Sequence, residues 1–120
     1  MSEPFELKEA GGALVFKPLV KTVDQTNADS FLAPMAARAA EGFKLALDLA
    51  ELRFLNSAGL GAVVMLVRDL KQAGGELRIC SPTPTVRALF KMVRLENIAA
   101  IDENVDAALA AFGAEASEGG

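Results

Sequence analysis

A serine that can be modified stands in the stretch FLNSAGLGA, residues 54–62. Ser57 lies where a strand-like run gives way to helical periodicity, so we expect it to be the N-cap of a helix over residues 58–73. Its hydroxyl would then accept a hydrogen bond from the amide of Gly59 or Leu60. This structural role alone explains a serine here. The chemical alternative is a phosphoryl group on Ser57, held against helix N-terminal amides and the positive end of the helix dipole.

Features of the same helix favour the chemical alternative. Gly59 and Gly61 occupy its start, where each glycine costs about 1 kcal/mol relative to alanine, and such a cost is usual where something approaches the backbone closely. One helix face, opposite the buried stripe, carries Gly61, Met65, Arg68 and Gln72. We therefore expect Met65 to be exposed next to the serine. Exposed methionines are typical of protein-binding surfaces, although single exposed apolar residues are also normal.

The composition argues against most other chemistry. The 120 residues contain no histidine and one cysteine, which removes Ser-His and Cys-His catalysis, most zinc sites and an internal disulfide. The acidic residues lack the spacing of a carboxylate pair or a metal site, and no glycine-rich loop carries the lysine of a phosphate-binding loop. We therefore expect no catalytic residue, no cofactor and no metal, and a protein that is not an enzyme.

Charge and hydropathy limit the partners. A net charge of −4 argues against a broad nucleic-acid-binding surface. The apolar runs are too short to span a bilayer and the N-terminus does not resemble a signal peptide, so we expect a cytoplasmic protein. Arg87, Lys91 and Arg94 form a basic stripe, which we interpret as a solvated helix face, with contact to an acidic partner as the alternative. Cys80 is expected to be a small core residue.

The first half of the chain predicts a hairpin followed by a helix and a central strand. FELKEA and ALVFKPLV flank Gly11-Gly12, which favours an antiparallel hairpin with Pro18 at the end of its second strand. A helix capped by Asn27 or Ser30 and ended by Gly42 follows, and Pro34 predicts that it either starts late or is kinked. The apolar run FKLALDL, residues 43–49, is typical of a strand covered on both faces.

The second half alternates helices and strands. The helix at 58–73 is followed by a strand over 76–82 and a helix over 83–97. The short strand AAID and a closing helix capped by Asn104 complete the chain. Strands linked through helices imply parallel neighbours. We expect an α/β fold with a mixed sheet of four to five strands flanked by about four helices. Residues 1–112 form one domain, and residues 113–120 form a disordered tail.

In this order, the motifs resemble the STAS domain, the module shared by bacterial anti-sigma factor antagonists and the cytoplasmic tails of sulphate transporters. The resemblance covers residues 14–112. It depends on an Asp-Leu-x(4)-Phe run followed by x-x-Ser-x-Gly-Leu-Gly, on GGEL, and on SPTPTVRALFKMVRLEN. It implies the STAS fold.

The antagonist branch of this family usually has Asp-Ser-Ser/Thr/Ala-Gly-Leu-Gly, and the serine after the aspartate is phosphorylated. The resemblance identifies Ser57 as the phosphoacceptor, with Asn56 where the family has aspartate. Asparagine keeps the size and the hydrogen-bonding oxygen but loses the charge. The implied partner-binding surface comprises Asp24, Asn56, Ser57, Ala58, Gly59, Leu60, Gly61, Met65 and Arg68.

The resemblance implies a switch between protein partners. The unphosphorylated domain would bind an anti-sigma factor serine kinase and release the sigma factor, phosphorylation of Ser57 would prevent this binding, and a serine phosphatase would restore it. Asn56 keeps a second hypothesis open. In that hypothesis the chain is a STAS subunit that is never phosphorylated and serves as a regulatory or scaffold component of a lipid-transport ATPase or signalling complex. A flavodoxin-like enzyme is a third hypothesis, for which the sequence offers no catalytic groups.

Overall fold

The first two strands form a hairpin. The computed structural model describes residues 4–119, and the side chains of residues 4–113. Strands β1 (Phe5–Ala10) and β2 (Ala13–Pro18) pair antiparallel around Gly11-Gly12. Both glycines have positive φ, 58° and 81°, which a residue without a Cβ adopts readily. The predicted hairpin is confirmed, and Pro18 is the last residue of its strand.

Within the described part of the chain, the main sheet has five strands in the order β1-β2-β4-β6-β7. Its centre is β4 (Lys44–Asp48), which runs parallel to β2 on one side and to β6 (Glu76–Cys80) on the other. β7 (Ala100–Asp102) pairs parallel with β6 at the far edge. The predicted mixed sheet is confirmed. The apolar run around β4 is explained by its central position, where both faces are covered.

Helices cover both faces of this sheet, and alternate strand residues point to different cores. The larger core packs Phe16, Leu45 and Ile79 against α3 (Ser57–Gln72) and α4 (Pro84–Met92). The smaller core lies under α5 (Val105–Gly119) and contains Ala13, Val15, Ala46, Cys80, Ala108 and Phe112. Cys80 is therefore a core residue, as predicted.

The predicted first helix is broken. It consists of α1 (Ala28–Phe31), α2 (Ala33–Ala36) and a 3₁₀ turn (Ala39–Glu41). Pro34 lies in the first turn of α2, where its missing N–H has no partner to lose. Residues 4–119 thus contain five α-helices where we expected about four. A second 3₁₀ turn (Leu95–Asn97) follows α4.

The C-terminal helix begins after Asn104, whose Oδ1 accepts a hydrogen bond from the amide of Ala107 at 2.8 Å. This confirms the predicted cap. The assigned helix runs to Gly119, whereas we expected a tail over 113–120. Because side chains from 114 onwards lie outside the described part of the chain, the domain limit at residue 112 stays a prediction.

A small second sheet was not predicted. β3 (Thr22–Val23) pairs parallel with β5 (Phe54–Leu55). It joins the loop after β2 to the segment that leads into α3. Strands of two residues are too short to show a period in the sequence, yet this ladder brings Asp24 and Asn56 to the same place.

Candidate functional site

The start of α3 is capped by Asn56, and the prediction that Ser57 is the N-cap is wrong. Asn56 Oδ1 accepts hydrogen bonds from the amides of Ala58 at 3.0 Å and Gly59 at 3.3 Å. The backbone of Asn56 is extended, with ψ −169°, because its own amide still donates to the carbonyl of Val23 in the small sheet at 3.0 Å. Asparagine and serine are equally good caps, so the end of β5 decides which of them caps.

Ser57 is the first residue of the helix, and it is exposed. Within the described part of the chain, its hydroxyl has no hydrogen-bond partner. The amides of Ala58 and Gly59 are bound by the Asn56 side chain, and that of Leu60 donates to the Asn56 carbonyl at 2.9 Å. The prediction of bare amides next to the serine is therefore wrong for these three groups. The positive end of the helix dipole remains, and the first turn carries no acidic side chain.

The loop with Asp24 is tied to this cap. Asn56 Nδ2 donates to Gln25 Oε1 at 3.0 Å. The loop itself is closed by the Asp24 amide, which donates to Asn27 Oδ1 at 2.8 Å, and by the Asn27 side chain, which donates to the Thr22 carbonyl at 2.9 Å. The structure thus places the predicted residue Asp24 next to Asn56. The asparagine at 56 contributes a donor here that an aspartate would lack.

The Asp24 carboxylate is ionised and oriented. Its Oδ1 accepts from both the amide and the hydroxyl of Thr26. These hydrogen bonds, the side-chain one most strongly, lower the pKa of Asp24 below its usual value. Asp24 therefore carries a fixed negative charge at neutral pH, on the loop that Asn56 contacts through Gln25.

The two glycines of α3 have different environments. A Cβ on Gly59 would lie 2.9 Å from Leu55 Cβ and 2.9 Å from Val23 Cγ1, whereas a Cβ on Gly61 would meet nothing within 4 Å. The expectation that something approaches the backbone closely is therefore met at Gly59 by Leu55 and Val23 of the small sheet. Gly61 faces open space, as a contact surface requires.

The outer face of α3 is as predicted. Gly61, Met65, Arg68 and Gln72 are exposed, and Met65 has 63% of its surface accessible. Ala58 and Leu60 are half-buried at the edge of this face.

A groove runs beside this face, between α3 and the α1–α2 segment. Its volume is about 310 Å³. Small and apolar side chains form most of its walls, and Asp29 and Asp69 add carboxylates. The lining residues are Ala28, Asp29, Leu32, Ala33, Ala36, Ala58, Gly61, Ala62, Met65, Leu66 and Asp69. Ser57 precedes one of the lining residues, so the groove opens next to it.

The other sequence candidates lie away from this groove. Arg87, Lys91 and Arg94 are exposed on and after α4, and Arg94 has a left-handed backbone with φ 56°. Burial raises the pKa of the Cys80 thiol to about 12. Among the residues that the structure describes, no cluster of acidic, histidine or cysteine side chains forms a metal site. In the same part of the chain, no helix has the length and hydropathy to cross a bilayer.

Comparisons with known proteins agree with this architecture. The STAS domain family matches residues 4–108. BtrV of Bordetella bronchiseptica, which bears the designation anti-sigma factor antagonist, is 35% identical over 91 residues, or 75% of this chain and 78% of BtrV.

Solved structures show the same fold. An anti-sigma factor antagonist from Thermotoga maritima superimposes with a TM-score of 0.79 at 22% identity, over 88% of this chain and 91% of that one. The Bacillus cell fate determinant SpoIIAA in its phosphorylated form gives 0.68 at 22% identity, over 90% and 98%. At these identities the structures report on the fold.

Proposed function

The chain belongs to the STAS family, and from this membership we propose that it is an anti-sigma factor antagonist controlled by phosphorylation of Ser57. The designation of BtrV supports the antagonist role. The observation that carries the switch is the position of Ser57, exposed at the first residue of α3 with an unpaired hydroxyl among the described residues. A kinase can reach this hydroxyl without unfolding the helix.

The partner in this proposal is an anti-sigma factor with serine kinase activity. It binds the face formed by the cap, the exposed side of α3 and the neighbouring groove. Gly61 leaves room for close approach, and Met65 provides an adaptable apolar contact. When the antagonist occupies the anti-sigma factor, the sigma factor is released.

Phosphorylation would block this binding through electrostatics. A phosphoserine carries close to two negative charges at neutral pH. The first cation along α3 after Ser57 is Arg68, eleven residues and about 16 Å further along the axis. The amides of residues 58 and 59 already bind Asn56. A phosphoryl group buried against the partner would therefore lack a pairing group on α3, and burying an unpaired charge is strongly unfavourable.

Asn56 is compatible with the switch. It caps the helix as an aspartate would, and it leaves Ser57 exposed. Because residue 56 is an asparagine and not an aspartate, its side chain adds no negative charge that would repel the phosphoryl group. We place the exchange in the cytoplasm, where a serine phosphatase would restore the unphosphorylated form. The chain acts as substrate and binding partner in this cycle, and not as an enzyme.

The test is phosphorylation by a candidate anti-sigma factor kinase. The purified chain, Ser57→Ala and Asn56→Asp are incubated with the kinase and ATP, and intact mass is measured. We expect one phosphoryl group on the wild type and on Asn56→Asp, and none on Ser57→Ala. If no tested kinase modifies the wild type, or if Ser57→Ala is modified equally, the chain instead fits the unphosphorylated regulatory or scaffold subunit.

Binding is measured with the same kinase. Ser57→Asp and Met65→Glu should each weaken the complex at least tenfold while the melting temperature changes little, because both side chains are exposed. Asn97→Glu, exposed on the 3₁₀ turn after α4 and away from the groove and the outer face of α3, serves as the control and should bind as the wild type does. Unchanged binding by both test variants would place the partner elsewhere on the domain.

A further inference from the structure

The outer edge of β1 can pair with another strand. Among the residues described, β1 pairs with β2 alone and lies at the end of the strand order. Four of its six residues are exposed: Glu6, Leu7, Lys8 and Glu9. Leu7 is a large apolar side chain with 40% of its surface accessible.

The pairing pattern shows which backbone groups face outward. The amide of Leu19 donates to the carbonyl of Pro4 at 2.8 Å, and Phe5 lies opposite Pro18 in the same register. Backbone groups alternate between the two sides of a strand, so Glu6 and Lys8 direct theirs toward β2. Phe5, Leu7 and Glu9 therefore direct their N–H and C=O groups toward the free edge.

The side chains of this edge are self-complementary. When two copies of β1 run antiparallel with Leu7 opposite Leu7, each Glu6 lies opposite the other copy's Lys8. Phe5 and Glu9 then form the outer hydrogen-bonded pairs with the other copy. In this register the Glu6 and Lys8 side chains are in the closer, non-hydrogen-bonded pairs, where opposite charges attract most. Charged residues on an edge strand usually hinder pairing, but this order of signs favours pairing with itself.

We propose that β1 is a homodimerisation edge, at which two copies of this chain join their sheets around a twofold axis at Leu7. The pairing continues the five-stranded sheet into the second copy. None of the residues of the candidate site lies on β1, so each copy keeps its Ser57 face. An interface of one strand is small, and we therefore expect a weak dimer that forms at micromolar to millimolar concentrations.

Sedimentation equilibrium over this concentration range tests the charge pattern. Glu6→Lys makes both cross-chain pairs like-charged and should weaken the dimer roughly tenfold or more. Adding Lys8→Glu restores opposite charges and should return the affinity to near the wild-type value. Residue 6 lies opposite Lys17 within the hairpin, and it is a lysine in both the single and the double variant. The difference in dimer affinity between these two variants therefore reports on the contact between copies. Glu96→Lys, exposed beyond the opposite edge, changes the net charge equally and should have no effect.

Oxidative cross-linking tests the register. In the proposed pairing the Cα atoms of the two Leu7 residues lie about 5.5 Å apart, within disulfide range, whereas those of the two Glu9 residues are roughly 14 Å apart. Leu7→Cys should therefore cross-link and Glu9→Cys should not. Cys80 is fully buried and does not compete.

A cross-linked dimer of Leu7→Cys, together with recovery of the dimer in the double charge variant, would support the proposal. A wild type that stays monomeric at the highest concentration would overturn it. Equal cross-linking at positions 7 and 9, or failure of the double variant to recover, would also overturn it. Melting temperatures measured for every variant separate loss of the dimer from loss of the fold.

Discussion

Alanine substitutions at the two glycines of α3 should affect stability differently. Both changes replace glycine by alanine near the start of one helix, and each gains about 1 kcal/mol of helix propensity. Only Gly59→Ala introduces a clash, because its Cβ would lie 2.9 Å from both Leu55 and Val23. The helix or the small sheet must then shift by about 0.5 Å or more to reach ordinary contact, and overpacking of this kind costs about 1–3 kcal/mol.

Because both variants gain the same helix propensity, the difference between their free energies of unfolding measures the cost of the clash at Gly59. We expect Gly61→Ala to exceed the wild type by about 1 kcal/mol in free energy of unfolding, and Gly59→Ala to fall about 1–3 kcal/mol below Gly61→Ala. For a domain of this size that difference corresponds to roughly 4–12 °C in melting temperature. Urea titration followed by circular dichroism gives both free energies.

The result that would refute this reasoning is a Gly59→Ala protein as stable as Gly61→Ala. It would mean that α3 does not rest on β3 and β5 as described. Gly61→Ala also tests the groove, because its methyl group projects into the space that the partner would occupy. A more stable protein that binds the anti-sigma factor kinase less tightly would separate the role of Gly61 in binding from folding.

Three further predictions concern the cap, a strained backbone and the buried thiol. Asn56→Ala should lower the free energy of unfolding by about 1 kcal/mol in urea titration, and Asn56→Asp should not, because aspartate is an equivalent cap; equal losses would show that the Gln25 contact matters more than the cap. Arg94→Gly should raise the free energy of unfolding by about 0.5 kcal/mol or more, because φ of Arg94 is 56°. Arg87→Gly, inside α4, should lower the free energy of unfolding by about 1 kcal/mol. The opposite order would contradict the assigned backbone. Cys80, whose pKa is raised by burial to about 12, should not react with Ellman's reagent at pH 8 until the chain is unfolded in urea, and rapid labelling of the native protein would place the thiol at the surface.

Much of the fold could be predicted because its signals are local. Gly11-Gly12 marks the hairpin, and the apolar run around β4 marks a strand covered on both sides. The spacing of apolar residues in α3 placed Met65 on the exposed face correctly. Each of these inferences needs only a few neighbouring residues.

The site could be predicted less well, because tertiary contacts decide its details. Ser57 and Asn56 are both good caps by propensity, and the choice depends on the bond from the Asn56 amide to Val23. The sheet that supplies this bond has two residues per strand and no periodic signal. For the same reason, local propensity could not distinguish Gly61, which faces open space, from Gly59, which packs against Leu55 and Val23.

The cap assignment changes what Asn56 implies. From sequence, the missing carboxylate raised the possibility that Ser57 is never phosphorylated. The structure explains an asparagine at position 56 without reference to phosphorylation. Its side chain caps α3 and donates to Gln25 through an N–H that aspartate lacks. A neutral neighbour also spares a phosphoserine a repulsion of about 1 kcal/mol. The helix should therefore keep its structure after phosphorylation, and the effect of the modification should appear in partner affinity and not in helix content.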